Sequence, residues 1–268
     1  MSETKTVSVC HLEGALWQTE GVALLNDYPD SFFQLILRID PDDHPNLVFG
    51  GGGFYGDWGS RPFNYWRHDG TQWLQELNDI SLDSALSFTL APSGSPHILF
   101  SEDRQLSYLA KPGTSWVREE ITTALRMIAI WMGPDNGPHV VCKTNEGLSY
   151  YARTATQWIK GPVIAPPPAE DYEYALVAGC CDSVNRPFVC YAIFDPVGMI
   201  VPPLDTTLMY ATLDGEWLAE EVYRGDLRLT SGATLALDSS GQPHLVLELI
   251  PWHGGESIYD SVYHIWRE

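Results

Sequence analysis

The chain has 268 residues, 44% hydrophobic and 12% aromatic, enough to bury a core and, for a β-rich chain of this length, compatible with one domain. Its 15 Lys and Arg stand against 35 Asp and Glu, a formal net charge of -20. Such a surface repels phosphate backbones and anionic membranes, which argues against nucleic acid and membrane partners.

The start, MSETKTVSVCHLEG, lacks a basic region followed by an apolar one, and no uncharged apolar run reaches membrane-spanning length, so a cytoplasmic protein is expected. The five cysteines, Cys10, Cys142, Cys180, Cys181 and Cys190, show no zinc-type spacing. Cys142 and Cys190 take a repeat position held elsewhere by Phe49, Phe100 and Leu247, and read as reduced core filler.

Five segments superpose without gaps on their prolines, Pro45, Pro96, Pro138, Pro187 and Pro243. Two residues before each proline stands Asp43, Gly94, Asn136, Asn185 or Gly241, residue types that tolerate the left-handed backbone of a tight hairpin. This places a turn between an inner strand A and a strand B in every copy. Strand A alternates apolar residues, as in Leu86, Phe88 and Leu90, with smaller ones such as Ser87 and Thr89. A tyrosine marks strand C, at Tyr65, Tyr108, Tyr150, Tyr210 and Tyr263, and a tryptophan marks strand D, at Trp73, Trp116, Trp158 and Trp217. The plainest copy is Leu86 to Ile121, four short strands with turns at Pro-Ser-Gly, Glu-Asp-Arg and Lys-Pro-Gly.

A four-stranded unit recurring at roughly 45 residues is the pattern of a propeller blade. The expected fold is therefore an all-β, five-bladed β-propeller of four-stranded antiparallel blades, forming one domain over residues 1–268. Its last blade stops after strand C, and the segment near Trp17 (14–22) is expected to supply the missing outer strand and close the ring. Val7 to Glu13 also resembles a strand C and has no slot in this scheme. The repeated Tyr and Trp read as blade-to-blade packing, and His97, His139 and His244, each following an anchor proline, as structural.

The Gly-x-x-Trp after the C-to-D turn resembles a fragment of the Asp-box of sialidase-type propellers, whose pattern is Ser-x-Asp-x-Gly-x-x-Trp. The resemblance covers only that hairpin: Asp69 adjoins Gly70, and Ala155 replaces the glycine in the third copy. It implies a propeller with Asp-box-like turns. Sialidase activity is not carried over, because only Arg38 is a candidate for the set of inner-strand arginines such enzymes use to hold a carboxylate.

The long connections are 50–62, 193–207 and 248–261 between strands B and C, and 25–32, 165–174 and 223–232 before strand A, all in blades 1, 4 and 5. Long loops are usually kept for function, which points to one ligand site on that sector. His253 and Arg38 are the candidate catalytic residues, His253 for proton transfer and Arg38 for holding an anion. Phe54, Tyr55, Asp57, Trp58, Glu173, Trp252 and Tyr259 are the candidate substrate-binding residues. No spacing matches a zinc site or a calcium loop, so no cofactor is expected; scattered carboxylates leave calcium in the axial channel open. The favoured function is a cofactor-independent enzyme acting on a small organic ligand by acid-base or conformational catalysis. The alternatives are a lectin-like binder of glycans or small molecules and a protein-interaction scaffold.

Overall fold

A computed structural model of the chain describes residues 5–13, 16–25, 33–51, 61–82, 86–124, 126–169, 172–194, 206–225, 227–253, 256–257 and 261–266. All regular structure among them is strand, arranged as five antiparallel four-stranded sheets and one two-stranded hairpin. The fold is a β-propeller of five blades. The chain divides into two compact units, Met1–Asp83 and Ser84–Glu268.

The first unit holds the hairpin β1 (Lys5–Glu13) and β2 (Leu16–Leu25), then blade 1: β3 (Phe33–Ile39), β4 (Pro45–Gly51), β5 (Arg61–His68) and β6 (Trp73–Leu82). The hairpin gives Val7 to Glu13 its place. That segment is β1, antiparallel to the strand of Trp17, with Leu12 opposite Trp17. Val7 and Val22 of the hairpin pack with Leu47 and Phe49 of β4, and Trp66 and Trp73 border them.

The second unit holds four blades. Blade 2 is β7 (Leu86–Leu90), β8 (Pro96–Glu102), β9 (Gln105–Ala110) and β10 (Val117–Thr123). Blade 3 is β11 (Arg126–Met132), β12 (Pro138–Thr144), β13 (Gly147–Arg153) and β14 (Trp158–Ala165). Blade 4 is β15 (Glu173–Cys181), β16 (Pro187–Phe194), β17 (Thr206–Asp214) and β18 (Glu216–Gly225). Blade 5 is β19 (Leu227–Leu237), β20 (Pro243–His253), β21 (Glu256–Ser257) and β22 (Ser261–Trp266). Their innermost strands β7, β11, β15 and β19 lie side by side in that order. Burial falls from strand B to strand D: β8, β12 and β16 are mostly buried, β10 and β18 are mostly exposed, and β14 is mixed.

The five A-to-B turns obey the sequence rule. Asp43, Gly94, Asn136, Asn185 and Gly241 all have positive φ, between 62° and 82°. In each, the amide of that residue donates to the carbonyl three residues back, as Asp43 N does to Asp40 O at 3.0 Å and Asn136 N to Gly133 O at 3.0 Å. That is a type I turn followed by a left-handed residue, the three-residue hairpin for which Gly, Asn and Asp are chosen. In blades 1, 4 and 5 the residue opening the turn is Asp40, Asp182 or Asp238, and its Oδ1 accepts two backbone amides.

In the first four blades the tyrosine of strand C lies opposite the third residue after the anchor proline: Tyr65 opposite Val48, Tyr108 opposite Leu99, Tyr150 opposite Val141, Tyr210 opposite Cys190. Blade 5 departs from the expectation. His264 is opposite Val246, and Tyr263 is one step out of register, opposite Leu247. The histidines after the anchor prolines reach across to this position. His97 Nδ1 lies 2.5 Å from Tyr108 Oη, His139 Nδ1 2.5 Å from Tyr150 Oη, and His244 Nδ1 2.9 Å from His264 Nε2. Asn46 does the same in blade 1, its Oδ1 accepting from Tyr65 Oη at 2.6 Å.

The inner strands of the second unit differ in bulk at corresponding positions. Thr89 and Ile130, Trp131 and Gly179, and Cys180 and Leu235 are corresponding pairs by their register against strand B. The large residue sits on one partner in one pair and on the other partner in the next. Trp131 fills the interface between blades 3 and 4, where its ring stacks on His139 with centroids 5.7 Å apart and its Nε1 donates to Cys181 Sγ at 3.1 Å. It fits because position 179 is glycine: a Cβ there would lie 2.3 Å from the Trp131 ring. Gly179→Ala is expected to lower unfolding stability by about 1–3 kcal/mol, the usual range for overpacking. Trp131→Leu should recover part of that loss in the double variant; additive losses in denaturant titrations of the single and double variants would show that the two positions are not coupled.

Candidate functional site

The residues singled out in the sequence are distributed unevenly over the structure. Phe54, Tyr55, Asp57, Trp58 and Tyr259 lie outside the described residues, and for Trp252 and His253 the description is of the backbone. That backbone corrects the reading of blade 5. The segments 223–232 and 248–261, read as loops, are largely strand: β19 and β20 pair from Leu237 opposite Pro243 out to Leu227 opposite Pro251. Beyond this ladder a tight hairpin sets Trp252 opposite Ser257 and His253 opposite Glu256. Arg38 is exposed on β3, its Nη1 donating to the Leu37 carbonyl at 2.9 Å. Glu173 opens β15 and lies 3.9 Å from Lys143 Nζ at the end of strand B in blade 3, an ion pair between blades 3 and 4.

A charged polar arrangement lies between blades 2 and 3. It is built from two cross-strand pairs that face one another. In blade 2, Glu119 of β10 lies opposite Tyr108 of β9; in blade 3, Arg153 of β13 lies opposite Trp158 of β14. Residues directly opposite in an antiparallel pair share a face of the sheet. The guanidinium clasps the carboxylate: Arg153 Nε donates to Glu119 Oε2 at 2.9 Å and Nη2 to Oε1 at 2.6 Å. Trp158 Nε1 donates to the same Oε2 at 2.9 Å. Below the pair, Trp158 meets Tyr108 edge-on with ring centroids 5.1 Å apart, and the guanidinium lies 6.0 Å from the Tyr108 centroid.

Both charged side chains are about one quarter exposed, 25% for Arg153 and 26% for Glu119. The hydrogen bonds from Arg153 hold the Glu119 carboxyl below the ordinary carboxylate range, and the same bonds raise the guanidinium further. The pair is thus ionised on both sides at neutral pH. It also keeps hydrogen-bonding capacity. Oε1 accepts one bond where a carboxylate oxygen takes two, and Arg153 Nη1 makes only a long 3.4 Å contact to the Thr154 carbonyl. The arrangement therefore offers donors and acceptors side by side, above an aromatic bed.

The next interface shows what is particular here. Between blades 3 and 4 the same packing recurs, with Trp217 edge-on to Tyr150 at 5.4 Å, but Trp217 Nε1 donates to the Pro162 carbonyl at 3.0 Å. The positions of Glu119 and Arg153 are taken by Gly161 and Leu213, so this interface carries no ion pair at that place. The sequence does hold a signal for the acid: the third residue after the strand D tryptophan is Glu76, Glu119, Gly161 or Glu220. In blade 1 that residue bonds within its own sheet, Glu76 Oε1 accepting from Arg67 Nε at 3.0 Å.

One group of potential metal ligands converges among the described residues. Atoms of Asp40, Asp42 and His44 lie within 4.8 Å of one another. Their convergence follows from the turn already described. Asp40 Oδ1 accepts the amides of Asp42 and His44, and Oδ2 lies 3.4 Å from Asn46 Nδ2.

No family model matches the sequence, and no curated protein matches it. Solved structures do resemble it in fold. A triple arginine-to-alanine mutant of AofleA from Arthrobotrys oligospora superposes with a TM-score of 0.57 at 11% identity, over 98% of this chain and 78% of that one. The SapL1 lectin in complex with alpha methyl fucoside gives 0.55 at 11% identity, over 87% and 81%. The Penicillium chrysogenum alpha-L-arabinanase complexed with arabinobiose gives 0.52 at 11% identity, over 96% and 85%. The likeness shows a shared propeller fold.

The histidine of blade 2 gives this region a pH signature. Burial first, and the Arg153 charge second, lower the His97 pKa to about 4, so it is neutral in the folded chain. Its contribution to stability is complete above the unfolded value near 6.5 and is lost as pH falls from there towards 4. His97→Asn copies the Asn46–Tyr65 bond of blade 1 and is expected to fold with a smaller drop in melting temperature between pH 7 and pH 4. An unchanged drop would mean that His97 does not contribute to it.

Proposed function

We propose that this protein binds carbohydrate, and that Glu119, Arg153 and Trp158, set over Tyr108, form the part of the binding surface that lies between blades 2 and 3. The observation that carries the reading is the carboxylate–guanidinium pair, with one acceptor site of Oε1 and the outer N–H groups of Arg153 still open, mounted on aromatic rings. A sugar hydroxyl both donates and accepts, so two neighbouring hydroxyls match one acceptor and one donor held side by side. Tyr108 is buried beneath the pair, so the C–H face of a sugar would meet the partly exposed edge of Trp158. Proteins of the same fold bound to methyl fucoside and to arabinobiose support the ligand class. The long segments of blades 4 and 5 remain the place for any catalytic step, with His253 as its proton-transfer group.

Glycan-array screening followed by calorimetry on the best ligand tests this. Arg153→Ala and Trp158→Phe, the second of which keeps an aromatic ring and removes the N–H, are each expected to weaken binding by at least 10-fold. Full binding in both variants with loss in His253→Ala would move the site to the long segments.

A further inference from the structure

Resting on that reading, we infer that the surface between blades 2 and 3 selects uncharged sugars with adjacent hydroxyls and rejects uronic and sialic acids. The reason is the state of Arg153. A guanidinium that serves an acidic sugar presents its two-pronged edge to the sugar carboxylate, since planar bidentate pairing is what distinguishes arginine as an anion receptor. Here the Nε–Nη2 edge is already taken, and the outer Nη1–Nη2 edge belongs to a guanidinium whose charge Glu119 neutralises. Nε and Nη2 are both directed at Glu119, at 2.9 and 2.6 Å, and Glu119 is locked further by the Trp158 indole at 2.9 Å.

An incoming carboxylate would either displace Glu119 or take the outer Nη1–Nη2 edge, and in both cases it would stand beside a second negative charge, on an arginine that Glu119 already neutralises. It would also approach a chain of net charge -20. A neutral diol meets neither obstacle. One hydroxyl reaches the open lone pair of Glu119 Oε1 and its neighbour the outward hydrogens of Arg153, while the ion pair stays closed and its net charge stays zero. The carboxylate of Glu119 thus acts as an internal occupant that sets specificity by exclusion, the repulsive half of a recognition device.

Glu119→Gln is the informative variant. It preserves shape and an oxygen for the indole N–H, removes the negative charge, and frees the fork of Arg153. The experiment compares galactose with galacturonate and glucose with glucuronate, as matched methyl glycosides or oligosaccharides, on the full chain at pH 7 and low salt. The wild type is expected to bind the neutral member of a pair at least 10-fold more tightly. Glu119→Gln is expected to reverse that order, gaining uronate affinity that declines as salt is raised. Equal or tighter uronate binding by the wild type overturns the inference while leaving carbohydrate binding intact. So does an unchanged neutral preference in Glu119→Gln. Absence of binding to every sugar in both proteins overturns the carbohydrate reading itself and this inference with it. Thermal melts of both proteins at pH 7 establish that Glu119→Gln is folded.

Discussion

Within the four-bladed unit, one contact recurs and the rest is arranged around it: the strand D tryptophan of a blade set edge-on against the strand C tyrosine of the blade before it. Trp158 on Tyr108 and Trp217 on Tyr150 are the two described copies. A tryptophan has a large apolar body and a single N–H that must find an acceptor when buried. The tyrosine hydroxyl has the same need on the other side of the ring pair. Blades 2 and 3 therefore each supply two polar partners as well as surface, whereas blade 4 has Phe188 stacked on Tyr210 at the inner place. Inside, the residue after the anchor proline receives the tyrosine; outside, an acceptor at the blade interface receives the indole. The outer partner is free to vary. Between blades 3 and 4 it is a backbone carbonyl, and between blades 2 and 3 it is a carboxylate that brings an arginine with it.

Much of the fold is legible because it is written in short range. A proline, a left-handed residue two before it and an apolar alternation are all contained in ten residues, and all five turns follow them. The departures lie where length is not constrained locally. The repeat pattern anchors strand C of blade 5 on Tyr263, but its register is set by pairing with β20, which puts His264 in the tyrosine place; the variable connection before it holds no mark of the one-residue shift. The same connection has the composition of a loop, yet most of it extends β20, because the facing strand β19 resumes its pairing beyond an irregularity between Leu229 and Ala233.

The polar site is only half legible. Glu119 recurs at a fixed offset from a tryptophan, a periodic signal, but its value depends on Arg153, 34 residues away and in another sheet. Sequence repetition relates equivalent positions in successive blades. It does not say which non-equivalent positions meet across a gap, and the site is made from such a meeting. Trp158 and Trp217 do pack between blades, as the repetition predicts; what repetition does not reveal is that a packing residue with a polar edge also organises charge beside it. Arg153 and Glu119 illustrate why the two roles coexist: a pair only one quarter exposed contributes modestly to stability, while its geometry is fixed by the bed beneath it.

The exchange of bulk along the inner strands has a consequence for how a repetitive chain assembles. Thr89 with Ile130, Trp131 with Gly179 and Cys180 with Leu235 give three different distributions of bulk at equivalent places of one strand plan. Because the blades share their A-to-B turns and antiparallel four-stranded plan, a folding chain could seat blade 2 against blade 4 with its backbone satisfied. Thr89 against Gly179 would then leave a hollow the size of an indole. Each inner strand thereby acts as a key cut for one neighbour, and the order of the blades in space is enforced by side-chain volume as well as by chain connectivity.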